Sequence, residues 1–417
     1  MLKSTASMML LLMLILANVS TYGDPQISGV SGQFQEGGAL TVSGTGFGTK
    51  SQPVPLLWKD FEDSQPGAAI VGDRNTQQTE NKGWTYAVGN ITYADGNNLP
   101  GSLLCSRHDM SGCDTSARTA DLYWVTDANL KRVFVSFWAV FDWGIQDPRH
   151  SMKLWRLSSS SDDYVILKDQ HWSADPIDPK IVASHYYTLQ VGDGYPLTDN
   201  YYGHIQSPPV KKWYRIEIQA EQSSTGVADG SISIWHGGLD TPMVNVLNLR
   251  NVITTHSYLW NTLEIGEYCA NTPGCPTNCE AVTYFDDVYL DNSWARVVIG
   301  NAATYEACTN LQTQVPSAWS NTSITVTGHT GFLPYGTAYL YVVDSNGVRN
   351  SAGYPITVAR SPKWLASVVD RWQAGKLTRD DLNKAVYWYM KGTTPPANPM
   401  TELTEEDITN AIKLAGQ

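Results

Sequence analysis

Four of the eight histidines, His150, His171, His185 and His204, fall in one central stretch of the chain. Around them lie Arg149, Lys153, Arg156, Lys168, Gln170, Tyr186, Tyr187, Tyr201 and Tyr202. Imidazoles, phenols and cations together suit the removal of a proton beside a carboxylate. A cation or amide neutralises the carboxylate and acidifies the neighbouring C–H, a base takes the proton, and an acid protonates the departing oxygen. His171, His185 and Tyr187 are the candidate base and acid, Gln170 and Arg156 the candidate neutralisers, and Lys153 a substrate-binding cation. Gln170 and His171 are neighbours, so an extended chain sends them to opposite faces. A single histidine on a strand is more often a hydrogen-bonded surface group than a catalyst. Convergence on one face decides between the two.

The elements that must carry these groups are strands. In Lys212 to Gln219, Tyr214, Ile216 and Ile218 share one parity, and Trp213, Arg215 and Glu217 share the other. In Ser231 to Trp235 the isoleucines take one side, leaving Ser231, Ser233 and Trp235 on the opposite side. A sandwich buries one face of each strand, so Trp213, Arg215, Glu217 and Trp235 are expected on an open sheet. Such a face suits sugar rings, whose C–H faces stack on Trp while their hydroxyls need charged partners. The competing reading is that another layer covers this face.

Further strands are expected over Val133–Asp142, Ser151–Leu157, Tyr164–Lys168, Ile181–Val191, Thr262–Tyr268 and Val282–Leu290. Composition agrees. Only 16% of the 417 residues are charged, while 15 Trp and 22 Tyr accompany 34 Gly, a mainly β mixture. A formal charge of −12 disfavours nucleic acid and anionic membranes as partners. Met8 to Ala17 is an apolar run behind Lys3, too short to span a bilayer, so residues 1–23 read as a signal peptide and the protein as secreted. No membrane insertion is expected. Six cysteines suit an oxidising compartment. Cys105 and Cys113 bracket a short loop as a candidate disulfide, and one of Cys269, Cys275 and Cys279 could reach Cys308. Zinc is disfavoured because no second CxxC and no His pair at ligand spacing accompany them.

Residues 24–60 (Pro25, Ile27 and the Gly-rich Gly44–Gly48 run) resemble the opening half of an immunoglobulin-like TIG/IPT domain. The alternating segments Ala295–Gly300, Val315–Thr327, Tyr339–Asp344 and Tyr354–Val358 resemble its second half. The resemblance implies one small immunoglobulin-like sandwich, 24–60 plus 295–359, split by an insert over 61–294. Within that insert, Lys212–Ile218, Asp229–Trp235, Leu263–Gly266 and Tyr284–Tyr289 resemble the concanavalin A-like jelly rolls, in particular heparin-lyase and alginate-lyase type polysaccharide lyases. The implied fold is mainly β, a jelly-roll β-sandwich. The implied activity is binding and β-elimination of an extracellular acidic, uronic-acid polysaccharide, with a non-catalytic lectin or adhesin as the alternative. The Arg-rich strand and Gln-x-His motifs of alginate lyases are not reproduced here. Glycoside hydrolysis would need two close carboxylates; the in-strand E-x-D-x-x-E pattern of the related glucanases is absent, and Glu217 and Glu221 lie too far apart along a strand.

Phe61-Glu62 opens the insert and Phe285-Asp286-Asp287-Val288 closes it. In related jelly rolls such ends lie on adjacent edge strands and hold a structural calcium, which makes Glu62, Asp286 and Asp287 candidate Ca2+ ligands, with a solvated acidic turn as the alternative. After residue 360 the pattern turns helical, and Leu377–Val386 matches Leu403–Ile412 in a loosely dockerin-like repeat. This helical module, 360–417, is read either as a docking unit for a protein partner or as a plain cap.

Overall fold

The computed structural model describes residues 23–72, 83–95, 97, 99, 102, 104–111, 118–143, 151–159, 163–169, 186–193, 200–206, 211–239, 241–254, 260–270, 281–333 and 336–359. Residues 1–22 of the expected signal peptide and all of the expected helical module lie outside these residues. β1 (Gln26–Gly32) and β2 (Ala39–Thr45) form an opening hairpin, and β3 (Leu57–Lys59) leads into the central region. There follow β4 (Tyr86–Val88), β5 (Asn90–Ala94), β6 (Cys105–Asp109), β7 (Arg118–Val125), β8 (Arg132–Trp143) and β9 (Ser151–Ser158). Next come β10 (Asp163–Asp169), β11 (Tyr186–Asp193), β12 (Asn200–Gln206), β13 (Tyr214–Glu221), β14 (Gly230–Gly238) and β15 (Val244–Val252). β16 (Thr262–Ala270) and β17 (Ala281–Asp291) complete that region. Beyond it lie β18 (Arg296–Gly300), β19 (Leu311–Thr313), β20 (Val315–Trp319), β21 (Ser323–Thr327), β22 (Gly336–Val343) and β23 (Tyr354–Val358).

The central region is a jelly-roll sandwich. One sheet runs β12-β11-β10-β9-β16-β7-β4, the other β15-β14-β13-β8-β17-β6-β5 with β3 added on β17. Alternation supplies the core between them. Leu122, Trp124, Trp155, Leu157, Leu263 and Ile265 come from the first sheet, and Val135, Phe137, Ile216, Ile218, Ile232 and Ile234 from the second. Each is removed from water at roughly 25 cal/mol per Å² of apolar surface, the main favourable term for a sandwich of this kind. The parity expected for β13 and β14 therefore holds on the core side.

A smaller sandwich is assembled from both sides of the central region. β1-β2-β21-β20 forms one sheet and β19-β18-β22-β23 the other. Phe34, Leu40, Val42 and Phe47 from the first part of the chain share a core with Val297, Ile299, Ile324, Val326, Leu340 and Val342. Thr41 of β2 pairs with Thr325 of β21 in antiparallel register. Trp294, at the crossing between the two bodies, packs with Phe134 and Tyr289 on the outer side of the second large sheet.

Strand boundaries differ from the sequence reading in places. β11 starts at Tyr186, and the expected stretch before it, 181–185, lies outside the described residues. In the central region β4 to β7, β12 and β15 were not anticipated, although VNVLNLRNV in β15 alternates cleanly. Among the described residues Cys308 is a buried free thiol whose sulfur lies against Ala302 O and Thr304 O, and the side chains of its candidate partners Cys269, Cys275 and Cys279 lie outside the described residues. Cys113, the expected partner of Cys105, lies outside the described residues. Among the described residues no helix is long and apolar enough to cross a membrane.

Candidate functional site

Residues that alternate with the core on the first large sheet build an outer face. Leu122 and Trp124 point inward, so Asp121 and Tyr123 of β7 take the other side. Glu264 of β16 lies opposite Tyr123, and Arg156 of β9 lies opposite Glu264. The register row continues from Tyr86 through Tyr123, Glu264 and Arg156 to Ile166, Gln190 and Tyr201. A bulge beside Leu154 sets Lys153 opposite Lys168, which in turn faces Thr188, and Thr188 faces His204. The backbone thus gathers Lys153, Lys168 and His204 into the next row.

Local contacts fix the described side chains. The rings of Tyr86 and Tyr123 stack, with centroids 4.4 Å apart and planes 16° apart. Arg156 donates from Nε to Glu264 Oε2 at 2.6 Å and also pairs with it through Nη2. Its side chain keeps 31% of its surface exposed. Burial works against the Arg156 charge, but Glu264 overrides it and holds the guanidinium protonated. The Tyr123 hydroxyl donates to Asp121 Oδ2 at 3.5 Å. Burial, with the Glu264 and Asp121 carboxylates, pushes this phenol well above its ordinary range, so it stays protonated at neutral pH. Gly266 has φ +147, and a Cβ there would meet Ala120 O at 2.3 Å and Asp121 Oδ1 at 2.7 Å. Only glycine lets β16 approach β7 this closely beside Asp121.

Of the sequence-predicted site residues, Arg156 stands on this face. Lys153 and Tyr187 belong to its sheet by backbone register, Tyr187 opposite Asp169 and Ile205. Their side chains, and Gln170, His171 and His185 entirely, lie outside the described residues. Tyr86, Asp121, Tyr123 and Glu264 were missed. The alternation of TADLYWV in β7 was the available signal.

The expected glycan face on β13 and β14 is corrected. Arg215 and Glu217 are each only 2% exposed. Arg215 donates to Glu217 Oε1 from Nε (3.0 Å) and Nη2 (2.8 Å), to Leu311 O from Nη1 (2.9 Å) and to Thr313 Oγ1 from Nη2 (2.7 Å). Arg296 adds a second cation, 3.5 Å from Glu217 Oε2. The parity was right, but β18 and β19 of the small sandwich cover the face. Trp213 is buried against Trp138 and Val140, while Trp235 is half-buried. None of the first three can meet a sugar.

The candidate metal residues sit where β17 bulges. Asp287 has φ +49, and the β8–β17 register slips between Asp286 and Tyr289. Both aspartates are consequently buried. Asp286 Oδ2 and Asp287 Oδ1 accept no hydrogen bond. Burial, then the Asp287 and Glu62 charges, push the Asp286 carboxyl well up. Glu62 Oε1 accepts from Leu104 N at 3.2 Å. Among the described residues no group of three His, Cys, Asp or Glu side chains is arranged to hold a metal.

Asp287 also meets the small sandwich. His329 Nε2 donates to Asp287 Oδ2 at 2.9 Å, and His329 Nδ1 lies 3.4 Å from Glu36 Oε1. Thr330 donates to Glu36 Oε2 from its N–H (2.8 Å) and its hydroxyl (3.0 Å). Burial opposes ionisation of Glu36, yet His329 and Thr330 outweigh it and hold the carboxyl at about 2 instead of 4.5. Its stabilisation is present above pH 4.5 and disappears as the pH falls through about 2. Burial also disfavours the His329 charge, but Asp287 and Glu36 raise its pKa well above 6.5, so its share is full below 6.5 and fades as the pH rises through the raised value. Urea midpoints should therefore drop between about pH 4.5 and 2, and Glu36→Gln should flatten that slope. An unchanged slope in the variant would remove Glu36 from the account.

No family model and no curated protein matches the chain. Among solved structures, it is similar to an endo-β-1,4-glucuronan lyase from the fungus Trichoderma reesei, with 14% identity over 55% of this chain and 97% of that one, at a TM-score of 0.39. The catalytic domain of a GH131 β-glucanase from Podospora anserina is similar at 15% identity, over 57% of this chain and 95% of that one, at a TM-score of 0.38. The marine PL-14 alginate lyase from Aplysia kurodai is similar at 10% identity, over 48% of this chain and 86% of that one, at a TM-score of 0.36.

Proposed function

We propose that this chain binds an acidic, uronic-acid polysaccharide on the outer face of its seven-stranded sheet and cleaves it by β-elimination. The observation that carries this reading is the meeting of a charged guanidinium with a phenol held protonated. Arg156 and Tyr123 flank Glu264 in one register row, beside the stacked Tyr86 ring. Arg156 would present its Nη1 edge to the sugar carboxylate and so acidify the C5 proton. Tyr123 would donate to the departing glycosidic oxygen. The base is assigned by residue type to His171, His185 or Tyr187, supported by Gln170, or to His204, which shares a register row with Lys153.

A non-catalytic lectin is the second reading, favoured by the Arg156–Glu264 pairing, which leaves a compensated charge beside an aromatic platform. One experiment separates them. The protein is incubated with alginate, glucuronan, heparin and ulvan while the ultraviolet absorbance of unsaturated products and the release of reducing ends are followed. Elimination raises both. Reducing ends without absorbance would mean hydrolysis and would overturn the elimination reading. Binding with neither signal leaves the lectin.

A structural Ca2+ at the Asp286–Asp287 pair, with Glu62 contributing its charge from nearby and not as a third clustered ligand, belongs to the same proposal, as do export behind residues 1–23 and a docking role for residues 360–417. The two buried carboxylate oxygens without a donor, Asp286 Oδ2 and Asp287 Oδ1, are hard ligands of the kind calcium prefers. Chelator should lower the melting temperature, since an ion bound only to the native state stabilises it by mass action. A melting curve unmoved by EDTA, in wild type and Asp286→Ala alike, would end the calcium assignment.

A further inference from the structure

Lys50 and Asp291 stand on either side of the central region, Lys50 after β2 and Asp291 at the end of β17. The Lys50 amine contacts Asp291 Oδ2, and the two side chains are 0% and 1% exposed. Each oxygen of the carboxyl is already held. Tyr289 OH donates to Oδ2 at 2.9 Å, and the Ser293 N–H donates to Oδ1 at 3.1 Å. The amine is held as well, donating to Pro53 O at 3.0 Å with the Trp319 ring 5.7 Å away. The pair is thus dry, oriented and built of a nucleophile and an acyl carbon.

We infer that Lys50 and Asp291 are partners for an intramolecular isopeptide bond that staples the neck of the central region. Burial favours the reactants. It draws the Lys50 ammonium down from its ordinary range and pushes the Asp291 carboxyl up to about 6, both in the direction of the neutral amine and carboxylic acid from which the reaction starts. The Lys50 nitrogen lone pair attacks Asp291 Cγ, forming the C–N bond. The Ser293 N–H faces the negative charge that develops on Oδ1, as an oxyanion-hole donor does. The C–Oδ2 bond then breaks. Tyr289 OH lies in place to protonate the departing hydroxyl and recovers a proton from the nitrogen. The balance is amine plus carboxylic acid to amide plus one water, with no oxidant or cofactor. Holding the reactants in contact supplies an effective concentration of about 10⁵–10⁸ M when the alignment is good. The amide also removes two buried charges, whose desolvation an ion pair often fails to recover.

Such a bond would close a covalent loop between residues 241 positions apart. The other lysine–carboxylate pair among the described residues, Lys59–Asp63, leaves Asp63 63% exposed, and a bond is not expected there.

The test is mass spectrometry of the full chain, reduced and denatured. The expected protein is one water lighter than its sequence, and its tryptic digest contains a branched peptide joining Lys50 to Asp291, uncut after Lys50. Lys50→Arg and Asp291→Ala should each restore the full mass. Recovery of the two wild-type peptides as separate linear species overturns the inference, and so does a water loss mapped to any other position. Because the decisive measurement is made on wild type, it stands even if either variant fails to fold.

Discussion

Alanine at Glu217 should lower the unfolding free energy by about 3–5 kcal/mol, because it leaves buried cations without their counter-charge. Arg215 and Arg296 both direct guanidinium groups at this carboxylate. Burial would by itself favour protonation of Glu217, but the two arginines reverse it and keep the carboxyl below its ordinary range. Removing Glu217 strands Arg215 beside Leu311 O and Thr313 Oγ1, which offer hydrogen bonds but no charge. Urea unfolding of Glu217→Ala against wild type measures the loss directly. A change below about 1 kcal/mol would mean that the network is no stronger than a surface ion pair. Binding to glycan should be unaffected in whatever fraction stays folded, which separates a buried joint from the sugar-facing surface that these residue types suggest.

Phenylalanine at Tyr123 should reduce turnover of a uronic-acid polymer about a hundredfold to ten-thousandfold, the usual cost of losing an acid catalyst. The substitution keeps the ring that stacks on Tyr86, so binding should survive. Arg156→Ala should act on the same reaction through the sugar carboxylate, by about a hundredfold to a thousandfold. Steady-state rates from the ultraviolet signal, with binding measured separately by calorimetry, give both numbers. Full activity in Tyr123→Phe would remove this phenol from the proton-donor role, and full activity in Arg156→Ala as well would move the site off this face.

What could be read before the structure depended on the distance over which each residue finds its partner. The inward parity of Tyr214, Ile216 and Ile218 is a local property of an alternating strand, and it is realised in the core. The fate of the opposite parity is not local. Arg215 is covered by Leu311 and Thr313, which lie 96 and 98 positions away, and nothing near Arg215 announces them. The pairing of Arg215 with Glu217 two residues on was a hint that the face satisfies its own charges. Arg156 stands out in the sequence as a cation by residue type alone. Glu264, 108 positions away, becomes its partner only when β16 is placed beside β9. At Asp286 and Asp287, period-two reasoning sends just one carboxylate inward. The bulge at Asp287 buries both, because the extra residue breaks the period.

The pairing of β2 with β21 also governs the order of events on the ribosome. Thr41 and Thr325, in contact across that pair, are separated by 284 positions. At about 5–20 residues per second, the opening hairpin spends roughly fifteen seconds to a minute without the strand it will pair with. Throughout that interval Leu40 and Val42 have no apolar neighbours from β21 and β22, and the β2 edge is open to pairing with other nascent chains. The central region can meanwhile collapse on contacts that are all contained within it. The first strands synthesised are thus among the last to be buried. A holdase that covers this hairpin early should raise the yield of folded protein more than one acting on the finished chain.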